Sequence, residues 1–383
     1  MAQVLVATTP EERHAIYRFR YDVYVEEMGK NPRYANHTDR VLKDDLDETA
    51  TLLYLKIDDR IVATVRRNAL PISSLSVTLR KALAIDRFTA EFSEAQLCFD
   101  SRFMIAPEWR NSFAAGLIVA EVYRLGREQG VQFDFSHASP WLVPFYENLG
   151  FRRYTSNFLD EDAGLQIPMV MLLEDVDHLR SVHSPFYRLA RRMTNQSTAK
   201  DWFVQAFPQQ QEFFNPYQHS LEEVWEFWLK KRRSHPDQRV ALFQDLTEEN
   251  LKRLLRHGAF HPVKAGEAIL RLGDISNSVF VVLSGAVQRS SLTHTATPAT
   301  HTLGPYQIFG ESALFTELPS PEQVMAISDT ELLVLPRQAM MRVMKTMPEA
   351  ICQLFLYASR SVCERYVPTN PNRVDRSIVE KAA

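Results

Sequence analysis

The chain has very little cysteine: Cys98, Cys352 and Cys363 are all it carries in 383 residues. An odd, sparse count without metal-ligand spacing argues against a disulfide framework or a zinc site. It also lacks a charge bias. Its 44 basic and 47 acidic side chains leave a net charge of −3, so no global basic field points to nucleic acid. Long hydrophobic runs are missing: no stretch approaches the ~18 apolar residues of a membrane span. The opening MAQVLVATTPEERHAIYRFRYD has too short an apolar run for a signal peptide before charges follow. No internal repeat is visible. What remains is globular in composition, 45% hydrophobic and 24% charged, and long enough for two or three domains. These features point to a cytoplasmic protein.

The order of patterns predicts a multidomain α+β chain. Residues 1–177 read as an α/β domain, a mixed central sheet with flanking helices. Residues 178–239 read as a helical connector, residues 240–366 as a β-barrel or jelly roll packed by helices, and residues 367–383 as a disordered polar tail. In the first domain, strand Val4–Ala7 precedes a helix that Thr9 caps, with Pro10 in the first turn and Glu12 closing a capping box. Ile16, Phe19 and Val23 form its stripe, and Gly29 ends it. TLLYLKI and IVATVRR flank Asp58-Asp59-Arg60 as a hairpin. Strand Leu97–Ile105, helix Phe113–Glu128, strand Gln132–His137, helix Trp141–Asn148 and strands near Phe151–Tyr154 and Ile167–Leu173 follow. Further on, short β runs alternate with Gly and Asn turns between helices Glu248–Arg256, Gln338–Lys345 and Glu349–Cys363.

PWLVPFYENLGFRRY (140–154) is a helix that halts at Gly150 and turns straight into a strand. Alone it is an ordinary helix stop. Upstream stand strand DSRFMI, turn APEWRN and helix SFAAGLIVAEVYRLGREQG, and then strand FDFSHA. Over about Met1–Leu173 this ensemble resembles the Gcn5-related N-acetyltransferase (GNAT) superfamily. The resemblance implies that backbone N–H groups at a helix N-terminus meet the pyrophosphate of coenzyme A, and that Tyr146 lies near the thioester. The turn departs from the family pattern Arg-x-x-Gly-x-Gly/Ala, because Phe113 replaces the first glycine of Arg110-Asn111-Ser112-Phe113-Ala114-Ala115. A donor carried on acyl carrier protein, with one phosphate, needs a less perfect cradle than free acyl-CoA.

FRYDVYVEEMG, KDDLDETATLLYL, VRR and FDSRFMI resemble the acyl-homoserine lactone synthases and, more closely, the long-chain N-acyl amino acid synthases. GLQIPMVMLLEDVDHLRSVHSPF resembles the second group. This implies an acceptor pocket of Arg20, Tyr24, Asp44, Asp47, Arg66, Arg102 and Phe103, and a thioester and pantetheine path along Met104, Ile105, Trp109, Arg110, Phe113, Ala114 and Ala115. The lactone synthases carry Glu where this chain has Phe99, so a lactone-forming mechanism is disfavoured.

Amide formation from a thioester needs a base for the ammonium, donors for the oxyanion, and a cation for an amino acid's carboxylate. Glu27 and Asp100 are the candidate bases, Tyr146 the candidate acid on the leaving thiolate, and Arg102 or Arg20 the carboxylate ligand. Bland alternatives stand beside each. Arg20 and Arg102 can pair structurally with Asp44 or Asp47, the Asp44-Asp45-Asp47 run can be a solvated turn, and Tyr146 and Trp109 can be packing residues. Cys98 reads as a small buried hydrophobe and His137 as a strand-end histidine.

In the connector, Leu221, Val224, Trp225, Trp228 and Leu229 recur at helical spacing. Arg188, Arg191, Arg192, Lys230, Lys231, Arg232 and Arg233 can dock an acidic acyl carrier protein or make peripheral membrane contact, or simply be solvated. Residues Leu242–Tyr366 resemble the cyclic nucleotide-binding domain. Gly266, Gly273-Asp274 and Gly285 stand at the expected turns, and Phe309-Gly310-Glu311-Ser312-Ala313-Leu314 matches the phosphate-binding cassette. The resemblance implies ribose contact by Glu311 and a phosphate-neutralising arginine that here falls on Ser320. A cyclic nucleotide is thus a weak expectation, and a regulatory or homodimerising role a stronger one. The polar tail leaves no room for a DNA-binding helix-turn-helix. The resulting reading is an N-acyltransferase acting on an amino acid or small amine. The alternatives are a protein lysine acyltransferase and a non-enzymatic scaffold.

Overall fold

A computed structural model describes residues 2–70, 75–110, 112–160, 162–193, 198–232, 240–244, 246–291, 299–316, 318–345 and 347–366. Asn111, Arg233 and the tail at 367–383 lie outside these described residues. The first half of the chain forms strands β1 (Gln3–Val6), β2 (Ala35–Asn36), β3 (Val41–Leu42), β4 (Thr51–Ile57), β5 (Arg60–Ala69), β6 (Leu97–Ile105), β7 (Phe133–Ala138), β8 (Arg152–Arg153), β9 (Phe158–Asp160) and β10 (Gly164–Leu172). Helices α1 (Pro10–Tyr21), α2 (Val77–Ala82), α3 (Ile85–Thr89), α4 (Ala114–Glu128) and α5 (Val143–Leu149) are interleaved with them. The connector holds α6 (Val176–Ser181), α7 (Tyr187–Ala190), α8 (Ala199–Ala206) and α9 (Leu221–Arg232).

The main sheet has the order β1-β4-β5-β6-β7-β10-β8, with β9 on β10. β6 and β7 run parallel, and every other neighbour is antiparallel. β4 is buried on both faces, as a central strand covered by helices must be. Leu53 and Leu55 pack with Ile118 and Val122 of α4 on one side, and Leu52 and Tyr54 with Ile16 and Tyr17 of α1 on the other. The β4–β5 turn puts Asp58 and Asp59 at φ 46° and 65°. Two left-handed residues match the twist of a tight hairpin, and Asp tolerates that conformation.

The Thr9–Glu12 capping box is present. The helix it starts does not run on to Gly29 as an α-helix. It gives way at Asp22–Glu27 to a wide π turn, with the Met28 N–H reaching the Val23 carbonyl and the Lys30 N–H the Tyr24 carbonyl. Such turns rotate the side chains that follow, which sequence periodicity does not register.

The second half forms β11 (Ala259–Val263), β12 (Ala268–Leu270), β13 (Ser278–Ser284), β14 (Val287–Ser291), β15 (Ala299–Leu303), β16 (Ile308–Phe309), β17 (Glu322–Ala326) and β18 (Thr330–Pro336). These make two four-stranded antiparallel sheets, β11-β18-β13-β16 and β12-β17-β14-β15. Helices α10 (Glu248–Leu255), α11 (Arg337–Met344) and α12 (Pro348–Tyr366) close them. Val224 and Trp228 of α9 join the core of this unit, whereas Leu229 of the expected stripe is exposed. No helix among the described residues is long and apolar enough to cross a membrane.

The two halves share a buried interface. Trp141 and Leu165 of the first sit in one cluster with Phe280 and Phe309 of the second. Arg153, fully buried, donates to Glu147 Oε1 at 2.8 Å, to the Phe260 carbonyl at 2.6 Å and to the Phe214 carbonyl at 3.1 Å. One guanidinium thus joins α5, the connector and β11. Gly150, at φ 120°, ends α5 where a Cβ would lie 2.4 Å from Leu179 Cδ2, so only glycine allows the chain to turn into β8.

Two outcomes follow. Arg153→Ala strips a buried carboxylate of its partner and two carbonyls of their donors, and urea denaturation should show a loss of about 3–5 kcal/mol. Burial next to Arg153 drives the His261 imidazole from its usual 6.5 down to about 3. A depressed histidine contributes stability that is present above its unfolded pKa and lost as pH falls toward the folded one. Thermal melts should therefore lose midpoint steadily from about pH 6.5 toward pH 3, and His261→Leu should flatten that slope.

Candidate active site

β6 and β7 pair only at Leu97–Phe133, Cys98–Asp134 and Phe99–Phe135. Beyond that point β6 stays with β5 and β7 with β10, so the parallel pair splays open. Arg102 marks the departure. It adopts φ 53° within the strand, where the β5–β6 register shifts between Thr64 and Arg66. The wedge is a narrow cavity of about 40 Å³ lined by Asp100, Ser101 and Phe103 of β6, Asp134 and Ser136 of β7, and Phe145 and Tyr146 of α5, with α4 across from them. The phenol of Tyr146 is pushed up to about 12 by burial, with Asp100 and Asp134 adding to the rise and a hydrogen bond to Ser136 opposing it.

On the other side of β6 lies a network of charges. Asp44 caps the turn Asp45–Asp47 and accepts from the Leu46 N–H at 3.0 Å. It also receives Arg102 Nη2 at 2.6 Å and Arg66 Nη1. Burial would raise its pKa, but Arg102 and Arg66 outweigh that and hold it below the usual value. Asp47 pairs with Arg20 at 2.7 Å and with Arg66 at 3.2 Å. Arg66 Nε donates to Ser101 Oγ at 3.0 Å. Arg102 lies over the rings of Tyr34 and Tyr24, 4.7 and 5.8 Å from their centroids. Six of the expected acceptor residues (Arg20, Tyr24, Asp44, Asp47, Arg66 and Arg102) are therefore one cluster. Phe103 stacks on Phe145 beside it, centroids 5.7 Å apart. Arg20 is 0% exposed, and its Nε and Nη2 have no hydrogen-bond partner among the described residues. Burial lowers its pKa, with Asp47 opposing and Arg66 and Arg102 adding to the fall.

The candidate bases have other occupations. Both oxygens of Glu27 accept from Arg110, at 2.5 and 2.7 Å. That pair straps the π turn to the segment after β6, so the expected base Glu27 and the expected donor ligand Arg110 hold each other. Arg110 Nε also donates to the Ile105 carbonyl at 3.3 Å. Asp100 is held by Arg67, Nε to Oδ1 at 2.9 Å and Nη2 to Oδ2 at 2.6 Å. Unlike Glu27, it lines the wedge.

Along the expected donor path, Met104 is buried with Tyr21 and Val23, while Ile105 and Trp109 pack beside α4. Phe113 is 57% exposed and packs edge-on against Trp109. The Ala114 N–H at the start of α4 is capped by Ser112 Oγ at 3.1 Å, and Ala115 lies in the first turn.

Sequence reading missed Arg67 and Asp134. Arg67 bridges Asp100 and Asp134, the latter at 3.2 Å. Burial, reinforced by Asp100, lifts the Asp134 carboxyl well above the usual range despite Arg67. A lone carboxylate in the apolar strand FDFSHA was the available signal. Cys98, Asp100 and Asp134 converge within 4.8 Å, a donor set of the kind that holds a cation, but Arg67 already supplies the positive charge there. Cys98 is buried, and its thiol is pushed well up by that burial. A larger depression of about 320 Å³, lined by Gln132, Glu174, Asp175, Asp177 and Lys200 among others, contains none of these residues.

In the C-terminal half, Phe309 stacks on Phe280 with centroids 4.7 Å apart. Glu311 accepts from Ser361 of α12 at 2.8 Å. The Gly310 N–H donates to Glu322 Oε1 at 3.0 Å, and Arg289 Nε lies 3.9 Å from Glu322 Oε2. Ser312 and Ala313 form the short turn between, and Ser320 is buried, its hydroxyl on the Glu322 carbonyl at 3.0 Å.

Residues 15–175 match the family model described as N-acyl amino acid synthase FeeM, and residues 260–347 that of the cyclic nucleotide-binding domain. A cyclic nucleotide-gated potassium channel of Mesorhizobium japonicum is 33% identical over 116 residues, 30% of this chain and 31% of the channel, so the match spans under a third of that relative. Among solved structures, the Thermus thermophilus catabolite activator protein is similar at 27% identity and TM-score 0.30, over 32% of this chain and 59% of that one. The CoA-dependent acyl-homoserine lactone synthase BjaI, with SAM and isopentyl-CoA, is similar at 20% identity and TM-score 0.38, over 48% and 87%. The chain thus carries a region that matches N-acyl amino acid synthases in its first half and a region that matches cyclic nucleotide-binding domains in its second.

Proposed function

We propose that the protein moves a long-chain acyl group from the thioester of acyl carrier protein or coenzyme A to the amine of an amino acid or small amine. The observation that carries this reading is the wedge between β6 and β7, with a cationic cluster on one side of β6 and a protonated tyrosine on the other. The thioester carbonyl enters the wedge, where β6 has no ladder to β7 beyond Phe99 and its backbone donors can meet an oxyanion. Arg20, whose Nε and Nη2 have no partner among the described residues, and Arg102 take the acceptor's carboxylate. The ammonium gives a proton to Asp100 through water, and the neutral amine attacks the carbonyl carbon. The tetrahedral intermediate collapses with loss of the C–S bond. Tyr146, which keeps its own proton at neutral pH, gives it to the thiolate, and the second proton of the amide nitrogen passes through water to the phenolate and restores the phenol. The exposed aromatic at Phe113 and the capped Ala114 N–H favour a carrier-protein donor over a pyrophosphate cradle. Arg188, Arg192 and Lys230 offer it basic contacts, whereas Lys231 pairs with Glu331 and Arg232 lies over Trp228 and Tyr306.

For the C-terminal domain we infer a bracing or regulatory role rather than tight nucleotide sensing. Glu322 takes a cassette N–H, and Ser320 stands where the phosphate's arginine is expected. Losing a charge-assisted contact there costs about 1.5–3 kcal/mol.

Mass spectrometry of lipids from bacteria expressing the chain should show new N-acyl amino acids that vanish with Arg102→Ala; a profile identical to empty vector would sink the reading. Tyr146→Phe should lower kcat by about 10²-fold with little change in acceptor KM. Calorimetry with cyclic AMP and cyclic GMP should give no saturable heat at micromolar concentrations, and Ser320→Arg combined with Glu322→Ala should introduce it.

A further inference from the structure

The acceptor cluster does not end within the N-terminal domain. Lys30, just past the π turn, is 15% exposed at its side chain and lies 5.3 Å from the Tyr24 ring centroid, so Tyr24 carries Lys30 as well as Arg102. The partner of Lys30 is Asp274 of the C-terminal domain, 3.6 Å away and almost fully buried. Asp274 sits in a turn that is itself bound to both domains. Its Oδ2 accepts from the Arg271 N–H at 2.9 Å, and Arg271 Nη2 reaches back to the Asp162 carbonyl at 2.5 Å. Gly164 makes room for that arm: a Cβ there would lie 2.7 Å from Arg271 Nε. On its other side the turn is laced to the cassette. The Ser320 N–H donates to the Asp274 carbonyl at 2.8 Å, and the Gly273 N–H to the Ser320 carbonyl at 2.9 Å.

We propose that Asp274 is a positioning residue of the acyl-acceptor pocket: by fixing Lys30 against Tyr24, a side chain of the C-terminal domain completes the acceptor site of the N-terminal one. The inference rests on the acyltransferase reading above. It adds that the cyclic nucleotide-binding-like domain acts on the acceptor half-reaction, through the turn bonded to Ser320, and not on the donor. A lysine stripped of its counter-charge in so enclosed a place swings toward solvent or toward the carboxylates of Asp160 and Asp162, and Tyr24 loses one of its two supports.

The full chain is assayed with a long-chain acyl group carried on acyl carrier protein and, in parallel, on coenzyme A, together with a mixture of the proteinogenic amino acids, varying each substrate in turn. Asp274→Asn should raise the acceptor KM by about tenfold and leave the donor KM unchanged. Lys30→Met, which removes the charge from the other partner, should give the same split. Lys30→Arg, which keeps a cation for both Asp274 and the Tyr24 ring, should retain most of the wild-type acceptor KM, which a merely structural defect would not do. Unchanged acceptor KM in Asp274→Asn and Lys30→Met, or equal changes in donor and acceptor KM, would overturn the inference while leaving the acyltransferase reading intact. Absence of transfer to any amine by the wild type would overturn both.

Discussion

The arrangement of the whole chain hangs on the guanidinium of Arg153. It is fully buried and spends its donors on a carboxylate of α5, a carbonyl of the connector and a carbonyl of the first barrel strand. A buried cation demands that every donor be met, so the three segments have one mutual placement that satisfies it. That placement lets Trp141 and Leu165 enter the apolar cluster of the second half. It also brings the turn at Arg271–Asp274 against Lys30, beside the cluster of Arg20, Arg66 and Arg102. Apolar burial gives the interface its strength, and the guanidinium gives it its register.

Charge placement divides the N-terminal domain into two chemistries on either side of one strand. Arg66 and Arg67 are neighbours on β5 and point to opposite faces, as strand neighbours must. Arg66 goes to Asp44, Asp47 and Ser101, and Arg67 to Asp100 and Asp134. Each arginine organises a separate set of carboxylates, so the Asp44–Asp47 cluster and the floor of the wedge do not merge into a single salt-bridged mass. Gly126 completes the second set: a Cβ there would meet Arg67 Nη1 at 2.7 Å.

Much of this was legible in the residues. The capping box, the Asp58–Asp59 hairpin, β6 from Leu97 to Ile105 and the stop at Gly150 all depend on local rules, and local rules are written in short stretches. Six of the residues expected around an acceptor were named, and the structure brings them into one cluster of ion pairs and ring contacts. What escaped is what only tertiary structure decides. The π turn keeps a helical composition while changing its period. Asp134 passed without comment inside a strand, since its partners Cys98 and Arg67 lie far from it in sequence. Glu27 looked available because nothing local announces Arg110, 83 residues away. The contact between Lys30 and Asp274 joins domains whose motifs are separately recognisable and mutually silent.

The backbone of Arg102 has a consequence of its own. Chains open a strand most cheaply with glycine, which takes a positive φ at no steric cost. Here an arginine takes it, at an expense of order 1–3 kcal/mol, and is held there by Asp44 and two tyrosine rings. The aperture between β6 and β7 is therefore conditional: its shape and its charge are vested in the same side chain. On the function proposed above, a lineage that altered the acceptor by replacing this residue would also have to re-engineer the gap proposed for the acyl chain. Under that reading, specificity for the two substrates is inherited together.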